Sequence, residues 1–132
     1  FNGNFYFDNV TSGGYYIVMK HRNSIETWSK AGGELLTQGV SYNYNFTNAS
    51  SQAFGNNMIQ SDTSPLRYAV FAGDVDDNGS VDLSDLALID NDMSSFETGY
   101  LNTDINGDEV IDLNDISIAD NNSFNTVTKI VP

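Results

Sequence analysis

The sequence predicts a mainly β protein with a small α part. We expect an incomplete β-sandwich-like module over residues 1–72, two loop–helix units over 73–125 and a C-terminal strap over 126–132. Three observations carry that expectation. Apolar residues of the first half follow strand patterns and sustain no helical period. The second half repeats itself at a spacing of thirty residues. Charge and aromatic side chains divide near the same place: residues 1–67 hold four acids and four bases, whereas residues 68–128 hold fourteen acids and no base. Thirteen of the sixteen aromatics lie in residues 1–72.

Composition narrows the function classes. A chain of 132 residues is one domain or two small ones, too short for a large catalytic barrel or a doubly wound sheet. With 39% hydrophobic and 12% aromatic residues it has the means to bury a core. The net charge of −13, with five Lys and Arg in all, excludes nucleic acid as a partner, because phosphate contacts need cations. No apolar stretch reaches the roughly 18 residues of a membrane span. There is no cysteine, so an exported chain of this size would be stapled by metal rather than by disulfides. A start at Phe1 rather than Met reads as a segment of an exported protein.

The first half justifies its strands one at a time. Phe5 and Phe7 flank Tyr6 ahead of a turn-like run ending at Gly13-Gly14. Residues 15–20 (YYIVMK) are rich in β-formers and apolar on both faces, the pattern of a central strand. Residues 25–29 (IETWS) give a short strand, followed by a turn at Ala31-Gly32-Gly33. Tyr42, Tyr44 and Phe46 alternate with Asn43 and Asn45, a half-buried strand. Residues 66–72 (LRYAVFA) give the last strand. Residues 5–19 (FYFDNVTSGGYYIVM) resemble the hairpin in the second half of transthyretin-like or carboxypeptidase-regulatory-like β-sandwiches. A full sandwich needs about 100 residues, so about five strands in 72 residues leave an open edge that invites strand addition from a neighbour.

The second half spells a coordination motif twice. Residues 74–85 (DVDDNGSVDLSD) fit the twelve-residue calcium loop D-x-[DN]-x-[DN]-G-x5-E with Asp in place of the final Glu, and residues 104–115 (DINGDEVIDLND) repeat it. Calcium takes six to eight hard oxygens at roughly 2.3–2.6 Å in a flexible shell. Positions 1, 3 and 5 turn short side chains inward: Asp74, Asp76 and Asn78, then Asp104, Asn106 and Asp108. Position 7 offers a backbone carbonyl, of Ser80 and Val110. Position 9, Asp82 and Asp112, binds through water, and position 12, Asp85 and Asp115, closes the shell from the exit helix. The cofactor expected is therefore Ca2+ at two sites. Apolar Val81 and Ile111 at position 8 predict a short β-bridge between the two loops. Gly79 at position 6 becomes Glu109 in the second loop, where positive φ costs a side chain on the order of 1 kcal/mol, so the second site is expected to be the weaker.

Neither loop has room for a helix in front of it. Loop plus exit helix, duplicated over residues 73–123 with Asp at position 12, resembles a dockerin. That resemblance implies an extracellular bacterial module folded by calcium, with a cohesin-like domain as one class of partner. Leu83-Ser84 and Leu113-Asn114 stand where clostridial-type dockerins carry Ser/Thr pairs, and the exit helices hold no Lys or Arg. The whole chain, with YYIVMKHRNSIETWS, SQAFGNNM and DNNSFNTVTKIVP, is similar to C-terminal regions of exported bacterial surface proteins.

Other groups have plainer readings. Asp90, Asp92 and Asp120 read as helix-ending polar residues rather than extra ligands. His21 reads as a packed or edge side chain. Glu26 and Glu34 have no second motif that would make them a glycosidase pair. Trp28 with Tyr42 and Tyr44 reads first as packing and only second as a sugar-stacking platform. With no catalytic constellation, a non-enzymatic, calcium-stabilised extracellular assembly subunit is expected. It would join copies of itself, or another surface protein, by β-strand addition. An adaptor tethering an upstream polysaccharide-acting enzyme to a cohesin-like scaffold is the alternative, and a carbohydrate-binding module a third.

Overall fold

The computed structural model describes residues 5–132. The first four residues of the expected β-half lie outside the described residues. Among those described, the chain is mainly β with some α: three two-stranded antiparallel sheets and two α-helices. β1 (Gly13–Tyr15) pairs with β4 (Glu34–Leu36), β2 (Val18–His21) with β3 (Ser24–Trp28), and β5 (Ile59–Thr63) with β6 (Leu66–Ala69). α1 (Leu83–Ser94) and α2 (Leu113–Phe124) pack against each other.

Several strand expectations shift. The apolar run 15–20 is split between β1 and β2, which pair with different partners. Ile17 sits between them and is bonded instead to Ser29, through both its carbonyl and its N–H. The alternating residues 42–46 form no strand. They lead into a 3-10 turn at Phe46–Asn48, and the Tyr44 hydroxyl donates to the Gln52 carbonyl and accepts from the Lys30 N–H. Ring contacts in this stretch thus replace the ladder that the period of two implies. Residues 5–7 also form no strand, and their three aromatic side chains are exposed.

The main core belongs almost wholly to the acidic half. Val75, Val81, Ile89, Ile111, Ala119 and Val127 are buried together, with Phe71, Leu86, Ile105 and Ile116 packed around them. The repeat accounts for this: Val75 and Ile105, Val81 and Ile111, Leu86 and Ile116, and Ile89 and Ala119 are pairs thirty positions apart. Among the described residues, Ile25 of β3 is the one fully buried contribution from the first half. β3 is brought there by the bond from the Ile25 N–H to the Phe71 carbonyl and by the Ser24–Ala72 bridge. Gly73 then turns the chain into the first loop at φ 114°, where a Cβ would come within 2.9 Å of a Val81 methyl and 3.1 Å of the Ala119 backbone. A larger residue here would force the loop off α2.

The strap runs back over the first loop. Val81 N–H donates to the Val127 carbonyl, and Lys129 N–H to the Gly79 carbonyl, around a bridge between Ser80 and Thr128. Its outer side faces the first half, where the Asn57 amide donates to the Thr128 carbonyl and Ile130 packs on Gly55.

Candidate metal centres

Each loop closes on a buried pair of carboxylates. Asp74 and Asp85 in the first, and Asp104 and Asp115 in the second, are at most 1% exposed. The sequence explains how they are held. Asp82 and Asp112 are helix N-caps, and Asp85 and Asp115 sit three residues on. Each couple forms a reciprocal capping box that satisfies the free N–H groups of the first turn. Loop positions 9 and 12 are therefore also the residues that start the helices.

The hydrogen bonds in the two loops match almost atom for atom. Asp85 accepts from the N–H groups of Val75, Asp76 and Asp82, at 2.8, 3.3 and 2.9 Å. Asp115 accepts from Ile105, Asn106 and Asp112, at 2.8, 3.1 and 2.9 Å. Asp74 takes the N–H groups of Asn78 and Gly79, and Asp104 those of Gly107, Asp108 and Glu109. The side-chain oxygens of positions 3 and 5 accept in turn from the N–H two residues on, as Asp76 does from Asn78 and Asn106 from Asp108. Such repeated two-residue turns are what wind short Asp and Asn side chains around a common centre.

Position 7 follows from the ladder. The bonds flanking Ser80 come from Val81 and to Gly79, which makes Ser80 and Thr128 a non-hydrogen-bonded pair. In such a pair the residue's own N–H and carbonyl point away from the partner strand. The Ser80 N–H accordingly goes to Asn78 Oδ1 inside the loop. Val110 stands in the same relation to Thr98, with its N–H on Asp108 Oδ1.

In the first loop Asp74, Asp76 and Asp85 each bring a carboxylate oxygen within 4.8 Å of the others, a cluster that could hold a metal ion. The corresponding trio of the second loop is Asp104, Asn106 and Asp115, so an amide replaces one acid. Electrostatics in the first loop are tense. Burial pushes the Asp74 carboxyl up from 3.8 to about 6, with the Asp85 charge adding to the rise against the Gly79 and Asn78 N–H groups. Burial also raises Asp85. The Ser84 hydroxyl and N–H hold Asp82 below the ordinary range. Oxygen-only donors with uncompensated negative charge fit a hard divalent cation.

Two expectations change in detail. The loops do not bridge to each other. Loop 1 pairs with the strap after α2, and loop 2 with the segment after α1, through bridges related by the same thirty-residue shift. Backbone strain is also not confined to position 6. Glu109 has φ 67°, but position 4 is left-handed too: Asp77 at φ 57° in the first loop, Gly107 at φ 80° in the second. Each loop thus has one Gly and one side chain at its two left-handed positions, which narrows the difference; what is left of it comes from Asp tolerating that conformation better than Glu does. Asp92, a polar residue in the last turn of α1, receives the Thr103 hydroxyl at 2.6 Å, and Asn122 of α2 donates to the Ala72 carbonyl at 2.7 Å. Each helix thereby steadies the entrance of the other loop.

Sequence reasoning missed the cations and rings around the loops. Arg22 and Asn23, the turn of the β2–β3 hairpin, both donate to the Asp104 carbonyl, at 2.6 and 2.9 Å. No local pattern signals a contact across some eighty residues. Elsewhere, Glu26 holds Lys20 and the Trp28 indole, and Glu34 holds Lys30 and Tyr42. Trp28 packs edge-on against Tyr16, while Tyr42 stacks on Tyr44, so the three rings of the supposed sugar platform are divided. His21 is exposed and bonded to Asn23. No helix among the described residues is long and apolar enough to cross a membrane. No family model, curated protein or solved structure matches the chain.

Proposed function

We propose that the chain is a calcium-stabilised, extracellular assembly subunit of a bacterial surface protein, its acidic half built as two dockerin-type loops and its neutral half as an incomplete sandwich. The observation that carries the calcium reading is the pair of buried carboxylates repeated in both loops, which Asp76 joins in the first as a cluster of carboxylate oxygens within 4.8 Å of one another. Asp74, Asp76, Asn78, the Ser80 carbonyl, Asp82 and Asp85 would hold one ion. Asp104, Asn106, Asp108, the Val110 carbonyl, Asp112 and Asp115 would hold the other. Calcium supplies the opposite charge that offsets their burial, and ion binding to the folded state alone stabilises it.

The assembly reading rests on the neutral half. Phe5, Tyr6 and Phe7 are 80%, 88% and 75% exposed, and every residue of β5 is exposed. Two-stranded sheets carry unpaired edges, and an extended apolar segment is the natural complement of such an edge. Light scattering on the eluting chain, with calcium and in metal-stripped buffer, tests this. We expect species larger than the monomer with calcium, reverting to monomer when the metal is removed. A monomer under both conditions at micromolar concentration contradicts the assembly reading.

The adaptor reading has one observation in its favour. Leu83 and Leu113, thirty residues apart at equivalent helix starts, are 77% and 68% exposed. A duplicated apolar side chain on the acidic half suits a single protein partner of the cohesin kind. Retention of the chain by an immobilised cohesin domain in calcium would favour it.

A further inference from the structure

The two loops differ in what lies beside position 1. Arg22 Nη2 stands 3.6 Å from Asp104 Oδ2, besides donating to the Asp104 carbonyl. The guanidinium lies 3.7 Å from the centre of the Tyr100 ring, and the Arg22 side chain is only 16% exposed. Its Nε and Nη1 are buried and have no hydrogen-bond partner among the described residues. Two unpartnered donors make this an unfavourable place for a guanidinium unless a negative charge and a ring face hold it there. Asp104 supplies the charge, and Tyr100 the ring. Asp74, the equivalent of Asp104, has no cationic side chain within ion-pair distance among the described residues.

We infer that Arg22 is a built-in counter-ion of the second loop, so that docking of the β2–β3 turn and cation occupancy of that loop oppose one another. This rests on the calcium reading above. A fixed positive charge beside a ligand oxygen repels an incoming divalent ion, and the repulsion is strong where water is excluded. By linkage the effect is mutual: an ion in the second loop weakens the hold of Asp104 on Arg22 as much as Arg22 weakens the ion. The loops therefore fill in order. The first, with three clustered acids and no cation paired to them (Lys129 lies over Gly79 but pairs with Glu26), binds first. The second binds later and loosens the hairpin turn that ties the neutral half to it. Calcium level then regulates how firmly the two halves are joined.

Calorimetric titration of the full chain with calcium tests the antagonism. Arg22→Gln should tighten the weaker step by about tenfold and leave the tighter step unchanged, whereas Arg22→Lys, which keeps the charge, should stay close to the parent. The same titration on an Asp76→Asn background, which impairs the first loop, assigns the affected step to the second. A parent that binds two ions while Arg22→Gln leaves the weaker step unchanged or weaker overturns the antagonism alone, as does a Lys variant that behaves like Gln. A parent that takes up no calcium overturns the calcium reading and the antagonism together. The counter-ion role itself is read in metal-stripped buffer. Arg22→Gln should lower the melting temperature of the parent by clearly more than that of Asp104→Asn, where only the bond to the Asp104 carbonyl and the Tyr100 contact remain to be lost. Equal losses in the two backgrounds overturn it.

Discussion

Asp74 shows how a side chain that looks merely acidic in sequence becomes a constraint in the fold. Its position-1 role is legible from the spacing to Asp76 and Asn78, but its burial is not. Burial comes from Val75, Val81 and Gly73 being packed on α2, a tertiary event. The carboxyl is raised from 3.8 to about 6, so the folded state binds its proton more tightly than the unfolded chain does. In metal-free protein this group therefore adds stability at low pH, and that stability is lost as pH rises from about 4 through 6. Glu26 has the opposite sign. The Lys20 ammonium and the Trp28 N–H hold its carboxyl below 4.5, so its stability is lost only as pH falls below that value. A comparison at pH 5 and pH 7 brackets the Asp74 value, with Asp85 shifted in the same direction. We expect the metal-stripped chain to melt higher at pH 5 than at pH 7, and the calcium-loaded chain to melt higher at pH 7, because proton and cation compete for the same oxygens. Thermal melts at the two pH values in both buffers check this. The same trend in both would contradict it.

Among the elements, the two loops and their helices were the most legible, since D-x-[DN]-x-[DN] followed by D-L-x-D encodes both the winding and the capping box. The strands were less so. YYIVMK reads as one strand because every residue favours β structure, yet Ile17 is diverted to Ser29 and the run is shared by two sheets. The alternation at 42–46 reports which rings share a side, and the hydroxyl bonds of Tyr42 and Tyr44 hold that side without a partner strand. Propensity and period describe faces, and only long-range pairing decides ladders. The strap was expected as an element, but its partner was not. It supplies Val127 to the core and bonds to Val81, Gly79 and Asn57. Ending the chain after Asn125 should therefore cost about 3–5 kcal/mol, from roughly 1 kcal/mol per hydrogen bond and about 2 kcal/mol for the valine. Denaturant midpoints with and without the strap measure it. A loss below about 1 kcal/mol would show that the strap only decorates the first loop.

At the scale of the molecule, the charge boundary marks a change of material more than a separation. Ile25, Arg22 and Asn23 reach from the neutral half into the core and the second loop, while Thr128 and Ile130 reach back to Asn57 and Gly55. Among the described residues, the aromatics of the first half contribute none of the buried hydrophobic core, which holds Ile25, Ala53 and Met58 from that half and six aliphatic side chains from the other. Composition announced a core but could not say where it lay. The repeat could, because the pairs of apolar positions thirty residues apart fall on both sides of one packed centre.

The chain's −13 charge is gathered where the loops are, and two calcium ions would bring it to −9. The most direct test is therefore the unfolding temperature of the whole chain in calcium and in metal-stripped buffer at neutral pH. Two sites each held at a hundred times their dissociation constant contribute about 5 kcal/mol. For a chain of this size that is a rise of about 15 °C. A rise of that order with calcium, smaller with magnesium, is the predicted result. Identical unfolding temperatures with and without calcium would contradict the account.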